Sequence, residues 1–83
     1  MSKKTSERMH FKRRMQERFG ITLTTSQCKD IVDIIKKGTT KIVRRESLRV
    51  FVYEMKIQDK LVHVVYDKVR KTPVSALLPE WTK

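Results

Sequence analysis

Apolar residues recur every four positions near the start of the chain, which is the spacing that one face of a helix requires. The positions concerned are Phe11, Met15 and Phe19. This pattern predicts a first helix over about residues 5–19. Thr5 or Ser6 is expected to cap its first free N–H groups, and Gly20 is expected to end it in the left-handed conformation.

A second helical pattern follows Gly20. Thr24 stands three residues before Gln27, which is the spacing of a capping box, in which each side chain accepts a hydrogen bond from the other residue's backbone N–H. The apolar positions that follow at i, i+3, i+4 and i+7 are Cys28, Ile31, Val32 and Ile35. The sequence KKG at 36–38 then places cations at the negative end of the helix dipole and a glycine at the stop.

Beyond Gly38 the period of the apolar residues changes from helical to alternating, and β-branched and aromatic residues dominate. Four segments carry this pattern: TKIVRRE at 40–46, SLRVFVYEMKI at 47–57, KLVHVVYD at 60–67 and TPVSALL at 72–78. Their connections are too short for crossovers, so neighbouring strands must run antiparallel. The sequence therefore predicts an α+β fold, with two N-terminal helices packed on one face of a four-stranded antiparallel meander.

The chain has 83 residues, which is enough for one domain with one core. Residues 1–6 contain no apolar run, so we expect neither a signal peptide nor a membrane anchor there, and we expect the segment to be flexible. Residues 80–83 are expected to form a C-terminal tail whose Trp81 folds back onto apolar surface. Pro73 has no N–H to donate, so the last strand is expected to begin there or to lie at a sheet edge.

The net charge of the chain indicates which kinds of partner it attracts. Twenty Lys and Arg residues against nine Asp and Glu residues give a net charge of +11, which attracts polyanions such as RNA, DNA or an acidic protein. Cys28 is the only cysteine, so no internal disulfide can form, and no Cys/His spacing fits a zinc site. We expect a cytoplasmic protein that uses no metal or other cofactor and binds no membrane.

The first helix carries a polar column beside its buried one. His10, Arg14 and Arg18 stand four residues apart and therefore lie above one another on the helix surface. Such a column is commonly a solvated face with some affinity for phosphate. It also suits a catalytic edge or a surface that recognises phosphates. The sequence leaves these interpretations open.

The residues around this column resemble a known family. The motif His-x3-Arg-Met-x2-Arg-x-Gly-Ile is formed here by His10, Arg14, Met15, Arg18, Gly20 and Ile21, and HVVYDKVRK follows in the strand region. Over residues 8–79 the chain resembles a family of uncharacterised small proteins that are common in phages, prophages and mobile elements. That family is grouped with the barnase–EndoU–colicin–RelE class of nuclease-like folds.

The resemblance implies a metal-independent, RNase-like scaffold in a host cytoplasm. The closing strand of that family often carries Ser or Thr, and Ser75 stands at the matching place. RNA cleavage of this kind needs a base for the 2′-OH proton, an acid for the leaving oxygen and cations for the developing phosphorane charge. His10 is a candidate for the base or the acid, and Arg14 and Arg18 are candidates for the cations. The candidate catalytic residues are His10, Arg14 and Ser75. Endoribonuclease activity stays undecided, because the sequence offers His10 no clear acid partner.

Further basic residues flank the predicted hairpins. Together with the two helix arginines they form the predicted nucleic-acid-binding set, which is Arg14, Arg18, Arg44, Arg45, Arg49, Lys68 and Arg70. Lys71 extends the same surface. Charged hairpin ends also protect exposed strand edges from pairing with other chains, so a purely structural role for these residues is the alternative.

Several other residues have ordinary structural interpretations. His63 alternates with apolar neighbours, so it lies either on a half-exposed sheet face or in the core with its polar atoms satisfied. Tyr53 and Tyr66 are expected to be strand residues first, although an aromatic ring on an exposed face can stack on a base. Asp30 and Asp33 lack a third acidic or histidine ligand and are expected to be surface charges.

Three functions from different classes remain: an RNase-like enzyme or toxin, which an antitoxin would accompany; a non-catalytic RNA- or ribosome-binding module; and a protein that modulates an acidic host protein. An enzyme requires His10 to converge with Ser75 or Tyr66 in a cleft. A nucleic-acid-binding module requires a continuous basic face, and an inhibitor of a protein requires an exposed apolar patch rimmed by charge. The sequence favours interaction with nucleic acid, and with RNA above all.

Overall fold

A computed structural model describes residues 3–38 and 40–81 of the chain, with side chains described from Met9 onward. The elements are α1 (Lys3–Phe19), α2 (Thr25–Lys36), β1 (Lys41–Arg45), β2 (Val50–Ile57), β3 (Lys60–Asp67), β4 (Thr72–Leu77) and a 3₁₀ turn (Pro79–Trp81). The strands form one antiparallel sheet in the order β1-β2-β3-β4. The predicted α+β fold with a four-stranded meander is confirmed.

Helix α1 starts earlier than predicted. It begins at Lys3, so Thr5 and Ser6 lie within the helix and neither is its N-cap. The prediction placed the start at the first capping residues, but lysine is a good helix former, and Lys3 and Lys4 extend the helix toward the N-terminus. Residues 1 and 2, which belong to the segment expected to be flexible, lie outside the described residues.

Helix α1 ends where the sequence predicts. Gly20 has a φ of +68°, the left-handed region in which a side chain is strained. The N–H groups of Gly20 and Ile21 donate to the carbonyl oxygens of Gln16 and Met15, at 3.0 and 3.3 Å. These hydrogen bonds close the last turn and redirect the chain toward α2.

Helix α2 has the predicted capping box. The Gln27 N–H donates to Thr24 Oγ1 at 3.1 Å, and the Thr24 N–H donates to Gln27 Oε1 at 2.8 Å. The buried residues of α2 are the predicted stripe of Cys28, Ile31, Val32 and Ile35. Gly38 follows the helix with a φ of +75°, as expected of a stop.

Alternation along the strands gives the sheet two different faces. The face toward the helices carries Tyr53, Ile57, Val62, Val64, Tyr66 and Ala76. These side chains share one core with Phe11, Met15 and Phe19 of α1 and with the buried stripe of α2. The outer face, which points away from the helices, includes Val52, Glu54, His63, Val65, Asp67 and Ser75.

The C-terminal segment fits the sequence only in part. Strand β4 begins at Thr72 and lies at an edge of the sheet, so both predictions made for Pro73 are confirmed within one residue. Trp81 is 52% exposed, and the Arg18 guanidinium lies 4.6 Å from its ring centroid. The tryptophan is therefore held against a cation and stays half in solvent. None of the described helices combines the length and apolar character needed to cross a membrane.

Candidate nucleic-acid interface

Strand register brings basic residues from separate parts of the sequence to one end of the sheet. Phe51 pairs with Arg45 on one side and with Tyr66 on the other, so the β1–β2 turn and the β3–β4 turn lie side by side. The Lys68 N–H donates to the Arg49 carbonyl at 2.7 Å and joins the two turns. We call this region the basic end, and its predicted binding residues are Arg44, Arg45, Arg49, Lys68 and Arg70.

Asp67 organises the basic end. Its carboxylate accepts hydrogen bonds from Arg49 Nη2 at 2.8 Å and Nε at 3.2 Å, and from the N–H groups of Val69 and Arg70 at 2.9 and 3.1 Å. Burial alone raises the pKa of Asp67, but the hydrogen bonds from Arg49 and from the two N–H groups outweigh it, so the pKa is lowered. The ionised carboxylate therefore fixes the β3–β4 turn and one arginine of the β1–β2 turn.

The cations of the basic end are not equally available to a ligand. Arg44 is paired with Glu46, and Arg49 is paired with Asp67. Arg45 and Lys68 instead lie over the ring of Phe51, at 5.4 and 4.3 Å from its centroid. Phe51 is half-buried at the edge of the core. Two cations of the basic end, neither of them in an ion pair with a described residue, therefore lie around one aromatic ring.

The column on α1 is partly engaged in the fold. Arg14 is paired with Glu17 at 3.1 Å on the helix surface. Arg18 Nη1 donates to the Ala76 carbonyl at 2.6 Å, so this arginine links α1 to the edge strand β4. His10 is exposed. Of the three, Arg18 has a structural role that the sequence pattern did not indicate.

No hydrogen bond joins the candidate catalytic residues His10 and Ser75 among the described residues. Val64 and Ala76 are register partners on the face toward the helices, and the neighbouring pair Val65 and Ser75 therefore points to the outer face. His10 belongs to α1, which contacts β4, the strand of Ser75, and buries Phe11 and Met15 in the core. A catalytic centre that contains both His10 and Ser75 stays a prediction.

The two remaining aromatic and histidine candidates have well-defined surroundings. Tyr66 is almost entirely buried and meets Tyr53 edge to face, with ring centroids 6.1 Å apart. His63 is buried on the outer face, and its Nε2 lies 3.1 Å from Glu54 Oε2. His63 is therefore a buried histidine with its polar atoms satisfied, which was one of the two alternatives that the sequence left open.

A surface pocket at the basic end includes residues outside the predicted set. It has a volume of about 410 Å³ and is lined by Lys36, Tyr66, Lys68 and Lys71. Lys36 was expected only to close α2, and Tyr66 was expected to be an ordinary strand residue. The sequence carried no signal that the end of α2 reaches the β3–β4 turn, because that contact depends on how α2 lies across the sheet.

Comparison of the chain with protein-family models, with curated proteins and with solved structures finds no match. These comparisons identify no family, and the resemblance to the phage and mobile-element family stays a prediction.

Proposed function

We propose that the protein binds nucleic acid through the basic end, with single-stranded RNA as the preferred ligand. The observation that carries this proposal is the convergence of two cations on the ring of Phe51: Arg45, its partner in the β1–β2 hairpin, and Lys68, from the β3–β4 turn. The preference for RNA rests on the resemblance described above.

The combination of two cations with an aromatic ring suits the binding of a single strand. Proteins that bind single strands combine cations that follow the backbone phosphates with aromatic rings on which bases stack. The net charge of +11 adds a long-range attraction for any polyanion. The Arg49–Asp67 pair holds the two turns in place before a ligand arrives, which lowers the entropic cost of binding.

RNA cleavage is not part of this proposal. General acid–base catalysis requires two groups within reach of the same phosphate. Ser75 points to the face of the sheet away from the core, and no hydrogen bond joins it to His10 among the described residues. An exposed histidine beside two arginines is also what an ordinary solvated helix face provides.

The test compares two double variants with the same change in net charge. Arg45→Gln with Lys68→Gln removes the cations around Phe51, whereas Lys29→Gln with Lys56→Gln removes two exposed lysines elsewhere. Binding of a labelled single-stranded RNA is followed by fluorescence anisotropy at low salt. We expect the first variant to lose affinity about tenfold or more and the second to lose much less. Equal losses would mean that only net charge matters, and no binding by the wild type would refute the proposal.

A different observation favours an acidic protein as the second candidate partner. Leu48 is 85% exposed and Val69 is 68% exposed, and they stand in the two neighbouring turns of the basic end. An apolar surface rimmed by charge is typical of a protein contact, such as one with a host protein or an antitoxin. Exchange of both residues for serine separates the two candidates, because it removes an apolar protein contact and leaves the cations and Phe51 in place.

A further inference from the structure

The pocket lined by Lys36, Tyr66, Lys68 and Lys71 joins two elements of the fold. Lys36 is the last residue of α2, Tyr66 belongs to the end of β3, and the other two lysines stand in the β3–β4 turn. The pocket is open to solvent. It adjoins Phe51, since Lys68 Nζ lies 4.3 Å from the centroid of that ring.

The positive charge of this pocket is not neutralised within the described part of the chain. No described carboxylate lies within ion-pair distance of Lys36, Lys68 or Lys71. Asp67, which precedes Lys68, is occupied by Arg49 and by two backbone N–H groups. Asp33, three residues before Lys36 on α2, is not within ion-pair distance of that lysine. Ammonium groups that share a pocket repel one another, and a bound anion removes that repulsion.

Tyr66 adds a neutral hydrogen-bond donor. Burial raises the pKa of its phenol, with smaller contributions from the nearby Tyr53 and Asp67, so the hydroxyl keeps its proton at neutral pH. No described group forms a hydrogen bond with this hydroxyl, although the residue lines the pocket. A protonated phenol beside ammonium groups suits an oxyanion with several acceptor oxygens.

Lys71 holds an unfavourable backbone conformation at this pocket. Its φ is +56°, in the left-handed region that lysine rarely adopts. A glycine or asparagine would fit the turn with less strain. Residues in this region are enriched at functional sites, although Gln58 and Asp59 adopt it in the β2–β3 turn as well.

We infer that Lys36, Lys68, Lys71 and Tyr66 bind one phosphate group of the nucleic acid. The inference deepens the proposed function and rests on it. A phosphate offers several acceptor oxygens to the ammonium groups and the phenol, and the volume of about 410 Å³ leaves room for the attached sugar. Phe51 is the aromatic ring available to the attached base, because Lys68 both lines the pocket and contacts that ring. Both a backbone phosphodiester and a terminal monophosphate have this chemistry.

The first experiment titrates the full chain with inorganic phosphate and follows backbone amide shifts by NMR, with chloride at matched ionic strength as the reference. We expect saturable shifts at Lys36 and residues 66–71 that chloride does not reproduce. Tyr66→Phe and Lys36→Gln should each weaken phosphate binding about three- to tenfold, whereas Lys37→Gln, the same change one position along, should not. Shifts that chloride reproduces, or equal effects at positions 36 and 37, would overturn the inference.

The second experiment measures affinity for a single-stranded RNA of about ten nucleotides, with and without a 5′-phosphate. Lys36→Gln should lower the slope of log affinity against log salt by about 0.7, and Lys37→Gln should change it less. Loss of affinity on removal of the 5′-phosphate, in the wild type but not in Lys36→Gln, identifies the terminal group as the ligand. Equal affinity of both RNAs identifies a backbone phosphate.

Failures of the two proposals can be told apart. If the wild type binds no RNA at low salt, the proposed function fails. If RNA binds but Lys36→Gln and Lys37→Gln bind it equally, the proposed function stands and the phosphate pocket is refuted. Lys71→Gly separates loss of binding from loss of folding, because glycine adopts the positive φ of this position without strain. It should unfold at an equal or higher temperature than the wild type and still bind phosphate more weakly.

Discussion

Arg49 and Asp67 form an ion pair that holds together the two turns at the basic end. Arg49 Nη2 lies 2.8 Å and Nε 3.2 Å from the same carboxylate oxygen, Oδ2. The other oxygen, Oδ1, accepts the N–H groups of Val69 and Arg70. One buried carboxylate therefore fixes the shape of the surface that we propose to bind RNA, and Arg49 is primarily a structural residue.

Replacement of this carboxylate should destabilise the fold. Asp67→Asn keeps the size of the side chain but weakens its hydrogen bonds to Arg49 and to the turn. We expect the free energy of unfolding at pH 7 to fall by about 1–3 kcal/mol, measured by urea denaturation. Glu46→Gln, which breaks the exposed pair with Arg44, is the control and should cost less than about 1 kcal/mol. Equal losses of unfolding free energy in the two variants would contradict the central role of Asp67.

The same carboxylate should make stability depend on pH in the acid range. Because the pKa of Asp67 is lowered in the folded protein, the unfolded chain takes up its proton first as the pH falls. The contribution of Asp67 is therefore complete above the ordinary carboxyl pKa of about 4 and is lost as the pH falls through the lower folded value. The stability difference between wild type and Asp67→Asn should shrink from pH 7 to pH 3, and a constant difference would contradict this.

Thr72 offers a test of an unsatisfied polar group. Its side chain is fully buried, and Oγ1 has no hydrogen-bond partner among the described residues. Thr72→Val removes that hydroxyl at nearly constant volume. We expect thermal unfolding at the same or a higher temperature, with a gain of up to about 1 kcal/mol, because a buried donor without a partner is costly. Thr72→Ser, which keeps the hydroxyl and loses the methyl group, should be less stable than the wild type.

The fold was predictable because its signals are local. Thr24 and Gln27 satisfy each other within one helical turn, and alternating apolar residues fix which side of each strand is buried. The start of α1 was not predictable, since lysine extends a helix with little cost and leaves no sharp boundary.

The candidate site was less predictable because it depends on long-range geometry. The sequence placed five basic residues at hairpin ends, and the register confirms that the two turns are neighbours. It could not show that Asp67 engages Arg49, that Arg18 donates to Ala76, or that Lys36 reaches the pocket beside Tyr66. Each contact joins residues far apart in the chain, and the spacing of apolar residues along a helix or strand does not predict such contacts.

Because no described side chain lies within hydrogen-bond distance of His10 as an acid or base partner, we expect that His10 does not support cleavage of RNA. We expect purified protein to leave single-stranded and structured RNA intact, alone and with ribosomes. Any residual cleavage should be the same in His10→Ala and wild type. A general base contributes about 10²–10⁴-fold to rate, so a loss of cleavage of that size in His10→Ala, with RNA affinity unchanged, would restore the RNase hypothesis.

The location of bound RNA is the most direct test of the central proposal. NMR shift mapping with a short single-stranded RNA at low salt reports which backbone amides the ligand approaches. We expect the largest shifts at residues 44–51 and 66–71 and at Lys36, around Phe51 and the two turns, and only small shifts at the β2–β3 turn and on α1. Shifts centred on His10, Arg14 and Arg18, or on the β2–β3 turn, would contradict binding at the basic end.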